Sequence, residues 1–189
     1  MRPLFIFFIA FVGQTSTVYS QAPYKINSCK IDFVFATGTF QKGTKTLIFT
    51  DSGRFEKQFG VTYRDTSANS EIPKEVIGDR TVYRALLINT IDSVFSIDLD
   101  LRIGSKSVKF GLGLSSFMDD QIKKVREDTF LNRKCYVMDF NGVTLWYWKG
   151  IVLKKELGIE GVYEYATSID ENYVIKEDEF QFPEGVTIK

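Results

Sequence analysis

Between Ser93 and Ile103 apolar and polar residues take strict turns. Phe95, Ile97, Leu99, Leu101 and Ile103 are separated by Ser96, Asp98, Asp100 and Arg102. A helix cannot gather that pattern on one side, whereas an extended strand puts every second side chain on the same face. The stretch from Asn27 to Phe40 repeats it, with Cys29, Ile31, Phe33 and Phe35 opposite Lys30 and Asp32. Turn-forming residues separate such runs: Lys42-Gly43, Asp51-Ser52-Gly53, Gly78-Asp79, Gly104-Ser105 and Asn141-Gly142. Asn-Gly is the strongest of these, because a type I′ turn needs positive φ at both central positions. It predicts a hairpin of 131–140 with 143–149. Further strands are expected at 44–49, 55–63, 81–88, 108–112, 152–157, 161–169 and 179–182, about ten in all, so the fold class is mainly β and antiparallel.

One segment departs from period two. Ser116 opens a capping box, with Asp119 and Asp120 in the first turn and Lys123, Lys124 and Arg126 in the last. Met118, Ile122 and Val125 then share one face of a short helix that covers the sheet. The polar stretch 65–73 is expected to be a loop.

At 189 residues the chain makes one domain. Its 24 basic and 24 acidic groups give no basic excess, which argues against a nucleic-acid partner. The chain has no histidine, and this removes Ser-His-Asp and Cys-His catalysis, HExxH zinc sites and histidine bases. No metal or cofactor is expected.

Arg2 is the only charge before Lys25, and an apolar run of about nine residues follows it, from Leu4 to Val12. That run is too short to span a bilayer but matches the core of a signal peptide. Cleavage is expected after Ser20, or after Ala22 on the Ser20-Gln21-Ala22 reading, so 1–20 is a signal peptide and 21–189 a single domain. The mature chain has no transmembrane segment. It is expected to be secreted across an inner membrane, into the periplasm or the outer-membrane periphery. The absence of an Asn-x-Ser/Thr sequon favours a bacterial source. In an oxidising compartment Cys29 and Cys135 are candidates for a disulfide; the alternative is two buried free thiols.

The carboxylates give little sign of catalysis. Asp98 and Asp100 share a strand face, Asp119-Asp120 open the expected helix, and Glu177-Asp178-Glu179 precede the last expected strand. A hydrolase built on such a pair is a distant possibility, and no catalytic residue is assigned. Leu145-Trp146-Tyr147-Trp148 is more informative, because neither face of that strand is polar. Such a strand is covered twice or lines a cavity. Core packing, a pocket for a lipid-like ligand and an exposed platform for sugars all remain open.

Two stretches carry a family resemblance. The first is Cys29-x-Ile31-x-Phe33 followed by Thr44 and Ile48-Phe49-Thr50-Asp51-Ser52-Gly53. The second runs from Asn132-Arg133-Lys134-Cys135-Tyr136-Val137 through Leu145-Trp146-Tyr147-Trp148-Lys149-Gly150-Ile151-Val152-Leu153-Lys154-Lys155-Glu156. Ala166-Thr167-Ser168-Ile169 and Phe182-Pro183-Glu184-Gly185 come after it. This order resembles a largely uncharacterised group of secreted Gram-negative bacterial proteins allied to the outer-membrane lipoprotein carrier (LolA/LolB-like) superfamily.

The resemblance implies a sheet curled into an incomplete barrel, with a helix across its concave side and an acyl chain held between them. Met118, Ile122 and Val125 would then form the lid, with Phe95, Ile97, Trp146 and Trp148 among the lining residues. Only one helix is expected and no lipoprotein-handoff arginine can be placed, so lipoprotein transport is not implied. The expected function is non-catalytic binding of a lipid or acyl ligand. The alternative is a cell-envelope interaction module that binds protein or polysaccharide through an aromatic surface.

Overall fold

The computed structural model describes residues 24–38, 41–64, 82–108, 123–140 and 142–189, with backbone alone at 123–125 and 140. The expected signal peptide, the loop at 65–73, the Gly78-Asp79 turn, and Met118 and Ile122 lie outside the described residues. Twelve strands occur within them: β1 (Cys29–Thr37), β2 (Gln41–Thr50), β3 (Phe55–Arg64), β4 (Val82–Asn89), β5 (Ser93–Asp98), β6 (Ile103–Val108), β7 (Lys123–Phe130), β8 (Arg133–Phe140), β9 (Val143–Trp148), β10 (Ile151–Leu157), β11 (Val162–Asp170) and β12 (Thr187–Ile188). They form one open sheet in the order β12-β6-β5-β4-β3-β2-β1-β11-β10-β9-β8-β7. Two antiparallel meanders, β1 to β6 and β7 to β11, meet where β1 pairs with β11. Only β12 runs parallel to its neighbour, β6.

Two-residue connections explain why the second meander is so regular. Leu131 and Asn132 have φ of 49° and 58°, and Lys149 and Gly150 have 49° and 89°. Positive φ at both central residues is the type I′ geometry, whose twist matches that of the flanking strands. Gly142, at φ 77°, closes the expected hairpin of β8 with β9.

The sheet is rolled towards one face. Tyr24 N donates to Ser52 O, in the β2–β3 turn, while the next residue, Lys25, donates to Lys149 O in the β9–β10 turn. On a flat sheet β3 and β10 would stand about 19 Å apart, at the usual spacing of about 4.8 Å per strand. Adjacent residues reach both turns only because the sheet curls between them. Inside the curl lies the main core, with Cys29, Ile31, Phe33, Leu47, Phe49, Cys135, Val137, Trp146, Trp148, Ile151, Leu153 and Ala166.

Residues 171–189 act as a strap over the outer face, running from β11 to the far edge. Lys30 lies over the Tyr173 ring, Lys57 holds Glu179 at 2.9 Å, and Tyr173 donates to the same carboxylate at 2.8 Å. Phe182 then meets Phe95 edge-on at 4.8 Å, and Val186 and Ile188 join a second cluster with Leu86, Ile88 and Ile97.

Several sequence expectations are corrected. The alternating run of residues 93–103 is not one strand but β5, a turn and β6. Asp98 Oδ1 accepts from the backbone N–H groups of Asp100 and Leu101, and Arg102 takes φ 54°, so the chain reverses there rather than at Gly104-Ser105. Residues 123–126, expected as the last turn of a helix, belong to strand β7 instead, and no α-helix occurs among the described residues. Their pairing with β8 supplies backbone partners that the local pattern does not show. Residues 179–182 form turns within the strap, with Glu179 N donating to Lys176 O and Gln181 N to Asp178 O.

Lys42-Gly43 is also not a turn: both residues lie inside β2. A Cβ on Gly43 would collide with the Val61 carbonyl oxygen and stand 2.6 Å from Phe35 Cζ. The strand needs glycine there because the Phe35 ring occupies the place of a side chain. Gly43→Ala is therefore expected to cost about 1–3 kcal/mol in urea denaturation, the usual range for overpacking against a backbone that cannot yield. Unchanged stability would show that the contact relaxes freely.

Candidate functional site

Strand register sorts every candidate onto one of the two faces. Ile97 pairs with Leu86, Leu86 with Phe59, Phe59 with Thr46 and Thr46 with Asp32. Asp32 points away from its neighbour Ile31, so Ile97 and Phe95 lie on the outer face, under the strap. Trp148 pairs with Ile151, two and four residues before the inward Leu153 and Lys155. Lys155 faces Glu164, and Glu164 faces the inward Phe35. The tryptophans are therefore inside the curl. The sheet itself separates Phe95 and Ile97 from Trp146 and Trp148, so these four do not line one cavity. Val125 lies in β7, and Met118 and Ile122 lie outside the described residues.

Trp146 and Trp148 are 4% and 6% exposed, so neither is a platform open to solvent. Each is capped by two cations. Lys154 Nζ is 4.3 Å and the Arg126 guanidinium 5.8 Å from the Trp146 ring; Lys149 Nζ is 4.8 Å and Arg133 5.3 Å from Trp148. Trp146 Nε1 donates to Asp128 Oδ2 at 3.0 Å. That bond, together with the Thr129 N–H, holds the Asp128 carboxyl below its ordinary value. Glu171 ties Arg133 and Lys149 together at 2.8 and 3.1 Å. Burial works against the charge of Glu171, but these two cations outweigh it and its carboxyl stays below the usual range. At about 0.5–1 kcal/mol per exposed cation–ring contact, this rim seals the core edge more than it builds a pocket.

The other half of the inner face is polar, which the alternation did not announce. Lys45 and Glu164 meet at 2.6 Å, both nearly excluded from water, and Lys45 Nζ also sits 4.6 Å over the Phe33 ring. Lys155 is buried beside them; desolvation lowers its ammonium pKa, the Glu164 charge raises it and the Lys45 charge lowers it again, with a net lowering. Glu56 accepts from Tyr24 at 2.6 Å and from Asn89 at 2.8 Å. Gln58 Oε1 and Thr62 Oγ1, on the same face, have no hydrogen-bond partner. Lys45, Gln58 and Glu164 border a cavity of about 20 Å³ with Tyr24, Phe33, Leu47, Ile151 and Val152. That is room for a water molecule, not for an acyl chain. One signal did point here: Lys45 and Glu164 occupy inward positions of their strands, in phase with Leu47, Phe49 and Ala166.

The remaining sequence candidates have structural tasks. Asp98 builds the β5–β6 turn, and Asp100 accepts from Arg84 Nε at 2.6 Å. Cys29 and Cys135 are both buried, and both carry free thiols here. Burial, then the nearby Glu171 and Asp170 charges, push the Cys29 thiol up to about 12; burial raises Cys135 as well.

No protein-family model matches the chain, and no curated protein matches it. Among solved structures it is similar to the crystal structure of an uncharacterized conserved protein from Thermus thermophilus, with a TM-score of 0.53 and 8% identity, covering 94% of this chain and 95% of that one. A second is MucB in complex with MucA(peri), with a TM-score of 0.41 and 12% identity, covering 85% of this chain and 55% of that one. The first likeness is one of fold alone; the second is too distant to carry an argument about this chain. The class defined by the fold is an open, curled sheet protein whose strands are almost all antiparallel.

Two measurements follow from this geometry. Removing Glu164 would leave the Lys45 and Lys155 ammonium groups in the core, whereas removing Lys45 would leave Glu164 still beside Lys155. Glu164→Ala is expected to cost about 3–5 kcal/mol in urea denaturation and Lys45→Met less; equal losses would mean that Lys155 takes no part. A thiol reagent is expected to label neither cysteine in the folded protein at neutral pH and both after unfolding without reductant. No labelling of the unfolded chain would mean that a bridge exists.

Proposed function

We propose that this chain is a non-catalytic binding protein of the cell envelope that works through its outer surface, with a protein as partner. The observation that carries the reading is how apolar surface is divided between the two faces. Inside the curl the inward groups of β1–β3 and β10–β11 border a cavity of about 20 Å³. On the outer face Phe59, Tyr63 and Val82 are 37%, 48% and 41% exposed, and Tyr63 stands directly opposite Val82. Exposed aromatic and branched side chains grouped on one face are typical of a contact surface.

The envelope location rests on the apolar N-terminal run and on the resemblance to the lipoprotein-carrier superfamily. A carrier role for an acyl chain, which the same resemblance implies, needs more room than the cavity beside Lys45 and Glu164 supplies. Sugar stacking on the tryptophans is disfavoured by their burial under four cations. Protein binding is left as the better supported of the envelope roles.

Native mass spectrometry of the protein purified gently from its own envelope tests the choice. The bare polypeptide mass, or that mass plus a stoichiometric protein, is expected. An adduct that disappears on solvent extraction would mean a bound lipid and would overturn the reading.

A further inference from the structure

The strap lies on a surface shaped to receive it. Its Thr187 and Ile188 add to β6 in parallel, in a sheet whose other described pairings are all antiparallel, with Thr187 N donating to Arg102 O and Lys189 N to Gly104 O. Opposite Ile188, β6 carries a glycine: a Cβ on Gly104 would stand 2.6 Å from Ile188 Cδ1. The absent side chain makes a slot for the isoleucine, floored by Ile97. Earlier in the strap, Lys57 receives the Glu179 carboxylate, Phe55 faces Phe180 at 6.3 Å and Phe95 faces Phe182 at 4.8 Å.

The fastening is sparse for a segment that crosses so much of the sheet. Between the Glu179 latch and β12 the strap has no regular structure, and Val174 and Phe182 stay 81% and 45% exposed. The row it covers continues into the open. Ile97 adjoins Leu86, and Leu86 adjoins Phe59, which is 37% exposed beside the strap. A face with a parallel strand position, an isoleucine slot, two aromatic contacts and a lysine for an acid has the elements of extended-peptide recognition.

We infer that the outer face of β3–β6 is an acceptor site for an extended segment of the partner protein, and that the C-terminal strap occupies it in cis. The segment it takes would share the strap's chemistry: an acid for Lys57, aromatic residues for Phe55 and Phe95, and a branched aliphatic for the Gly104 slot. This rests on the protein-binding reading above and adds the place and the kind of partner. Affinity for such a segment is reduced by the fraction of molecules in which the strap is closed.

The test uses the full chain and a fluorescent peptide with the sequence of residues 177–189. Glu179→Ala removes the latch, and Tyr173→Ala, outside both the peptide and the acceptor face, loosens it from the strap side in case the first variant is poorly folded. Amide exchange at Thr187 and Lys189 reports whether the strap has lifted. Faster exchange and an affinity about tenfold or more above wild type are expected for both variants, with binding lost when the peptide carries Ile188→Ala. The inference is overturned if lifted straps bring no peptide binding, if neither variant changes the exchange, or if the altered peptide binds as well. Dimerisation of the variants in place of peptide uptake would assign the face to strap exchange between copies and would overturn it too. A lipid adduct in the mass spectrum would remove the protein-binding reading and leave these strap measurements standing, so the two failures are distinguishable.

Discussion

The pairing of β1 with β11 is the contact on which the architecture depends. Each meander is local, made of strands that pair with their neighbours in sequence, and each alone would leave the edge now at the seam bare and two faces exposed. Joining residues 30–37 to residues 162–170 turns two ribbons into one sheet wide enough to roll. The seam has a register shift between Asp32 and Phe33, where the ladder is irregular and the local twist increases. Asp32 makes use of the irregularity: its carboxylate accepts from Thr46 on one side and Ser168 on the other, at 2.7 and 2.8 Å. Its carbonyl oxygen also takes the Thr167 hydroxyl at 3.2 Å. The closure entropy for so distant a pairing is large but grows slowly with loop length, so the seam is costly in folding time more than in stability.

Among the described residues a single sheet has two faces to cover and no second layer to cover them. The chain meets this with two unlike devices. The inner face closes on itself by curling, with Tyr24 set at the closed end against Phe49 and bonded to Glu56. The outer face cannot close that way, because curling inwards spreads it. It is covered by the strap, an irregular segment whose own hydrogen bonds are few. Glu179 is the joint of that cover: burial opposes its charge, but the bonds from Lys57 and Tyr173 prevail and keep its carboxyl below the ordinary range. The Tyr173 phenol is pushed up to about 12, chiefly by its bond to that carboxylate. The two groups hold each other in the protonation states that the latch needs throughout the neutral range.

Strands were legible in the sequence because period two is a local property, and β1, β2, β3, β4 and the β8–β9 hairpin lie close to where alternation and Asn-Gly place them. What failed were the places where one residue does something that its neighbours do not reveal. Asp98 has the right phase for a strand yet turns the chain by accepting two backbone N–H groups. Gly43 looks like a turn residue and is a strand residue kept small by Phe35. The capping pattern at Ser116 and the cations at 123–126 suggested a helix end, but Lys123 and Lys124 pair with β8. The grouping of Phe95 and Ile97 with the tryptophans failed for a topological reason. Alternation says which residues of one strand share a face; only the chain of pairings across strands says which face that is.

The polar cluster inside the curl is legible only in the phase of Lys45 and Glu164, which share inward positions with apolar neighbours; which strands bring them together is set by the β1–β2 and β1–β11 pairings. Their placement has a consequence for specificity. A sheet of alternating strands can slip by two residues and still keep its apolar positions inward, so hydrophobicity alone does not fix the seam. Sliding β11 by two against β1 would bring Ala166 or Val162 level with Phe35 in place of Glu164. Lys45 and Lys155 would then lose the carboxylate between them, leaving desolvated charge in the core. A buried ion pair is a poor source of net stability but a strong penalty on wrong registers. Set across the long-range seam between the two meanders, it acts on a pairing that the short turns cannot control.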